Sequence, residues 1–148
     1  GNSNPFTPPV NLYFALEAAL DLMQDVGLEA IFARHDRHRR ASQAAMRALG
    51  LPLFAADGYG SPAITAVAPV GLDAEALRKA VKGRYDILLA GGQDHLKGKV
   101  FRIGHLGFVC DRDVLTAVAA IEGALADLGA ASAQPGAGVA AAAAVLQG

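Results

Sequence analysis

The sequence predicts an α+β fold: a small mixed or antiparallel sheet with helices packed on one face. Three observations carry it. Stretches of the chain repeat apolar residues at the three-and-four spacing of a helix face. Between them lie short apolar runs bounded by glycine, proline and aspartate, the pattern of brief strands. The resulting order, ααββαββα, sets strand pairs between helices, as layered α+β domains do. With 148 residues, 53% hydrophobic and 18% charged, the chain can fill one core and has little room for two.

The elements follow in order. "TPPVN" reads as a helix start, with Thr7 as the cap and proline tolerated in the first turn because its missing N–H has no partner there. Leu12, Leu16, Ala19, Leu20 and Met23 recur at helical spacing up to a break at Gly27. A second helix carries Leu28, Ile31, Phe32, Ala45 and Leu49 on its apolar side and ends at Gly50-Leu51-Pro52. Residues 51–56 and 63–68 read as short strands around the turn-rich "DGYGSP". Asp73 caps a third helix with Leu77, Ala80 and Val81, stopped near Gly83. "YDILLA" (85–90) and "KVFRI" (99–103) read as strands on either side of "GGQDHLKG". A fourth helix starts at Asp111 or Asp113 and runs through Val114, Val118, Ile121, Leu125 and Leu128 to Gly129. Beyond it, "AASAQPGAGVAAAAAVLQG" carries no charge and is broken at Pro135. Residues 1–129 therefore read as one domain and 130–148 as an Ala/Gly-rich tail with one short helix.

Composition excludes several classes. Thirteen basic against fourteen acidic residues leave a net charge of −1, so no overall field draws the chain to nucleic acid or an anionic membrane. No apolar run approaches the ~20 residues that span a bilayer, and no basic-then-apolar signal peptide opens the chain. Cys110 has no second cysteine to pair with, which fits a reducing cytoplasm. The chain opens "GNSNPFTPPV" without an initiator Met and is expected to be a piece of a larger protein.

Candidate chemistry is sparse. Arg34, His35, Arg37, His38, Arg39 and Arg40 form a basic cluster, read as the solvated side of a helix because no aromatics interleave it. His35 and His38 share a helix face without a third ligand, and His95 and His105 read as loop and strand-end histidines, so no metal site is assigned. Cys110 reads as structural, and Lys97 and Lys99 as solvated loop lysines. Arg102 stands out inside an apolar strand. Alternation turns Phe101 and Ile103 one way and Val100 and Arg102 the other. An arginine there needs a partner, and its planar fork takes a carboxylate with two parallel hydrogen bonds. From the strand alone, a substrate carboxylate and a structural Asp or Glu are equal readings. Thr7, beside a helix N-terminus, is either a cap or part of an anion site.

Taken together, "NPFTPPVNLYFALEAAL" and "LLAGGQDHLKGKVFRIGHLG" resemble the C-terminal part of the class V aminotransferases, across roughly residues 4–128. These are pyridoxal-phosphate enzymes, the group of alanine–glyoxylate and serine–glyoxylate or serine–pyruvate transaminases. The resemblance implies the small C-terminal domain of that fold, working in a homodimer on a small amino acid (serine, alanine or aspartate) and glyoxylate or pyruvate. It implies that Arg102 grips the substrate α-carboxylate and that Thr7 reaches the phosphate of pyridoxal 5'-phosphate in the neighbouring subunit. It also implies that the Schiff-base lysine lies outside this chain, because Lys97 and Lys99 do not align with it. No catalytic residue is assigned here, and the chain alone is expected to be inactive. The competing expectation is a non-catalytic α+β domain that binds a small molecule or regulates.

Overall fold

The computed structural model describes residues 6–148, so Asn4 and Pro5 of the "NPFTPPV" segment lie outside the described residues. The chain divides into two units, Gly1–Arg34 and His35–Gly148. In the first, Pro8 and Pro9 set up helix α1 (Val10–Val26), and the Pro9 carbonyl accepts from the N–H groups of Leu12 and Tyr13 at 2.9 and 3.3 Å. The helix start predicted at Thr7 is corrected by this. Pro9 is the cap and no side chain caps the helix; two consecutive prolines, each lacking an N–H, move the first helical residue past Thr7. Gly27, at φ 84°, ends α1 and donates to the Met23 carbonyl at 2.9 Å, a left-handed conformation that favours glycine. α1 has no buried residue, so Leu12, Leu16, Leu20 and Met23, spaced as a core face, are exposed. Helix α2 (Leu28–Ala48) begins in this unit, where Ile31 is buried.

In the second unit the sheet is three-stranded and antiparallel, in the order β1 (Ile64–Val67), β3 (Phe101–Gly104), β2 (Ala90–Gly91). The central strand pairs Arg102 with Ala66 on one side and Ala90 on the other. Helix α3 (Ala74–Tyr85) packs on β2 and β3 and against α4 (Asp111–Asp127), and α5 (Ala137–Gln147) packs on α4. Asp73 caps α3, accepting from the Glu75 N–H at 2.9 Å. The core gathers Met46 and Leu49 from α2 and the turn after it, Val67, Phe101 and Ile103 from the sheet, Leu77 and Val81 from α3, and Val118, Ile121 and Leu125 from α4. No helix among the described residues is long and apolar enough to cross a membrane.

Two predicted strands shrink, for local reasons. Over 51–56 only a single bridge, Leu53 to Val67, joins the sheet, because Pro52 has no N–H to give a ladder. Over 85–90, Tyr85 belongs to α3 and Asp86 closes it in the left-handed region at φ 54°, leaving β2 only Ala90 and Gly91. α3 passes through Gly83, and Tyr85 packs so closely on α4 that a Cβ at Gly123 would lie 2.0 Å from its hydroxyl. The stretch read as a tail meets the body: Ala142 of α5 is fully buried, a Cβ at Gly138 would touch Leu49, and Ser132 Oγ donates to the Leu49 carbonyl at 3.1 Å.

Candidate functional site

The "FRIG" strand alternates as its side chains require. Phe101 and Ile103 are buried in the core, while Arg102, half-buried, faces the other side of the sheet. Its neighbours across both ladders are alanines, Ala66 and Ala90, so no large side chain flanks the guanidinium there. Arg102 Nε donates to the Gly91 carbonyl at 3.1 Å. Arg37, Arg39, Arg40, Arg47, Arg78 and Arg84 each meet a carboxylate. Arg102 meets none among the described residues. The structural-salt-bridge reading of Arg102 therefore has no acid to name among the described residues. Its two terminal nitrogens form the planar edge that binds a carboxylate in parallel.

The "GG" before β3 is a matter of space. A Cβ on Gly91 would lie 2.7 Å from Arg78 Nη1, and one on Gly92 would lie 2.1 Å from the Leu96 carbonyl oxygen. Lys97 and Lys99 lie in the loop that follows, both exposed. Cys110, exposed, caps α4, and its N–H donates to Asp113 Oδ2 at 2.9 Å. That bond, with a second from the Cys110 side chain, holds the Asp113 carboxyl below the usual carboxylate range.

Thr7 belongs to the first unit. It is exposed, makes no capping bond, and precedes a helix whose first turn holds no acidic residue. The Thr7 hydroxyl thus has no capping role and stands ahead of the positive end of a helix. Among the described residues no group of three His, Cys, Asp or Glu converges as a metal site. A concavity bounded by Arg39, Gln43, Arg47, Tyr59, Ser61 and Ile64 does not include Arg102, and both of its arginines are paired, with Asp36 and Asp57.

The basic cluster of α2 is not uniformly solvated, which corrects the sequence reading. His38 is fully buried, with Nε2 2.8 Å from Asp111 Oδ1, and Arg37 Nη2 donates to the same oxygen at 3.0 Å. His35 Nε2 accepts from the Gly107 N–H at 3.1 Å. His105, just past the end of β3, is also fully buried, with Nε2 2.9 Å from Thr65 Oγ1. The missed signal was positional: Ile31, His38 and Ala45 are spaced by sevens on the buried side of α2.

Burial, followed by the charges of His38 and His35, pushes the His105 imidazole down from 6.5 to about 4. The unfolded chain then binds a proton more readily than the folded one, so stability rises with pH across this window. The contribution is intact above about pH 6.5, is lost progressively as pH falls towards 4, and is constant below that. The full loss amounts to roughly 3 kcal/mol at most. Urea midpoints taken at pH 7, 5.5 and 4.5 should fall in that order, and His105→Gln should flatten the trend; an unchanged slope in the variant would assign it to other groups.

The chain matches no protein-family model. It is 65% identical over 145 residues to the soluble hydrogenase, small subunit, of Synechococcus sp. (strain PCC 6716), covering 98% of this chain and 38% of that protein. It is 39% identical over 145 residues to the serine–glyoxylate aminotransferase of Methylorubrum extorquens, covering 97% of this chain and 36% of that one. Among solved structures, pyridoxamine–pyruvate aminotransferase from Mesorhizobium loti superposes with a TM-score of 0.91 at 38% identity, over 99% of this chain and 38% of that chain. The chain thus spans 36–38% of the length of these relatives.

Proposed function

This chain belongs to the class V aminotransferase family, and from that premise we propose that it is the C-terminal part of a pyridoxal-phosphate-dependent transaminase. The reaction moves an amino group from a small amino acid (serine, alanine or aspartate) to glyoxylate or pyruvate. One observation carries the reading: Arg102 is a half-buried arginine on the central strand, flanked by alanines, with no carboxylate of its own among the described residues. Bound pyridoxal phosphate supplies the electron sink for amino transfer. Arg102 contributes recognition, fixing the substrate carboxylate at two points so that the amino group is presented in one orientation. Thr7 contributes a hydroxyl to the cofactor phosphate across a homodimer. Support for that assembly comes from α1, whose Leu12, Phe14, Leu16, Leu20 and Leu22 expose an apolar surface of the kind that protein interfaces cover.

The lysine that holds the cofactor is assigned to the rest of the protein. Here Lys82 is paired with Asp86, while Lys79, Lys97 and Lys99 lie at the surface of α3 and the loop before β3. We propose that the activity is cytoplasmic, a reading supported by the single cysteine, Cys110, which has no second cysteine to pair with. A second reading is favoured by the hydrogenase name of the 65%-identical relative: a non-catalytic subunit in which Arg102 binds a small carboxylate ligand. The two part in one assay. The full-length protein with pyridoxal phosphate should convert serine and glyoxylate to glycine and the serine-derived keto acid, whereas the isolated chain should show neither turnover nor a cofactor absorbance band. A cofactor-free, inactive full-length protein would favour the subunit.

A further inference from the structure

The strand that holds Arg102 in place has little to hold itself. β2 is two residues long, Ala90 and Gly91, and Leu88 just before it is exposed. Such a short edge strand has few ladder bonds with which to fix its position. Its Gly91 carbonyl is nonetheless the one described hydrogen-bond acceptor of the Arg102 side chain. On its far side β2 is set by the turn. The Gly92 N–H donates to the Val100 carbonyl at 2.8 Å, and Gly92 sits against Leu96 so tightly that a Cβ there has no room.

On its near side β2 is set by one side chain from α3. Arg78 Nε donates to the Leu89 carbonyl at 2.7 Å, and its guanidinium lies against Gly91, within 2.7 Å of where a Cβ would stand. Glu75, one turn earlier on the same helix, holds Nη1 of that guanidinium. The first turn of Glu75's helix is itself fixed by the Asp73 cap. An unbroken series of contacts therefore runs from Glu75 through Arg78 to Leu89 and Gly91, and from the Gly91 carbonyl to Arg102. The plane of the Arg102 fork is set by where that carbonyl sits, because Nε, Nη1 and Nη2 share one rigid plane.

We infer that Arg78 is a positioning residue for Arg102, clamping β2 so that the Gly91 carbonyl aims the Arg102 guanidinium at the substrate carboxylate. The inference rests on the proposed role of Arg102 and adds to it a residue that never touches substrate. It also explains the first glycine of the "GG" pair, since any side chain there would displace the clamp. Lysine cannot replace Arg78, because a single ammonium cannot span Glu75 and the Leu89 carbonyl while lying flat on Gly91.

The test uses the full-length, cofactor-loaded enzyme and compares Arg78→Lys, Arg78→Met, Gly91→Ala and Arg102→Lys. Arg78→Met is expected to raise KM for the amino acid roughly tenfold, within the hundredfold that a small misplacement can cost, while kcat changes less. Arg78→Lys should not restore KM, and Gly91→Ala, which keeps Arg78 but displaces it, should raise KM in the same direction. If Arg78→Met fails to fold, the lysine and Gly91→Ala variants decide the matter. Combining Arg78→Met with Arg102→Lys should add little to Arg102→Lys alone, because both act on one contact. A normal KM in folded Arg78 and Gly91 variants, or additive effects in the double variant, with Arg102→Lys impaired, overturns the positioning role and leaves the Arg102 reading standing. A normal KM in Arg102→Lys overturns both.

Discussion

Replacing Arg102 by alanine in the full-length enzyme is expected to lower kcat/KM for the amino-acid substrate by roughly thirty- to a hundredfold, with most of the change in KM. Removing one partner of a buried, hydrogen-bonded charge pair costs about 2–5 kcal/mol. Arg102 is half-buried, which places it towards the lower end, and about 1.4 kcal/mol corresponds to each factor of ten. Arg102→Lys should regain only part of the loss, because one ammonium cannot reproduce two parallel hydrogen bonds. Stability should hardly change. The side chain packs beside alanines and gives up one hydrogen bond to a backbone carbonyl, a loss of about 1 kcal/mol. Steady-state kinetics and a thermal melt on the same two variants check both halves.

One residue earlier the expectation reverses. Phe101 points the other way from the same strand and is fully buried in the core. Truncating it to alanine leaves a cavity in close-packed surroundings, at a cost of about 3–5 kcal/mol. For a chain of this length that lowers Tm by roughly 10 °C, a large share of a typical domain's stability of about 5–15 kcal/mol. Phe101→Leu should recover much of it by refilling volume. A Phe101→Ala protein that melts like the parent would contradict the face assignment, and with it the placing of Arg102 opposite the core.

That contrast is legible in the sequence because a strand has a period of two, and four letters, "FRIG", are enough to show it. The Asp73 cap, the Gly27 break and α4 are legible for similar reasons: each is decided by neighbours close in the chain. What is not legible depends on contacts from afar. The apolar positions of α1 imply something that covers them, but spacing cannot name what. The charged neighbours of His38 mask its place between Ile31 and Ala45, and its partner, Asp111, lies 73 residues away. The Leu88–Leu89 run has the composition of a strand, yet an αL cap at Asp86 and the grip of Arg78 on the Leu89 carbonyl leave only two residues to pair. The Ala-rich stretch resembles a tail because small residues carry little pattern; Ala142 is buried because smallness lets α5 approach α4 closely.

The central claim is that the Arg102 fork recognises a carboxylate, and the most direct measurement removes that carboxylate from the other side. It compares kcat/KM for serine and for serinamide in the full-length enzyme and in Arg102→Ala. The parent enzyme should prefer the acid by at least roughly tenfold, and the variant should lose most of that preference. A preference of unchanged size in a folded, cofactor-loaded Arg102→Ala enzyme would contradict the claim.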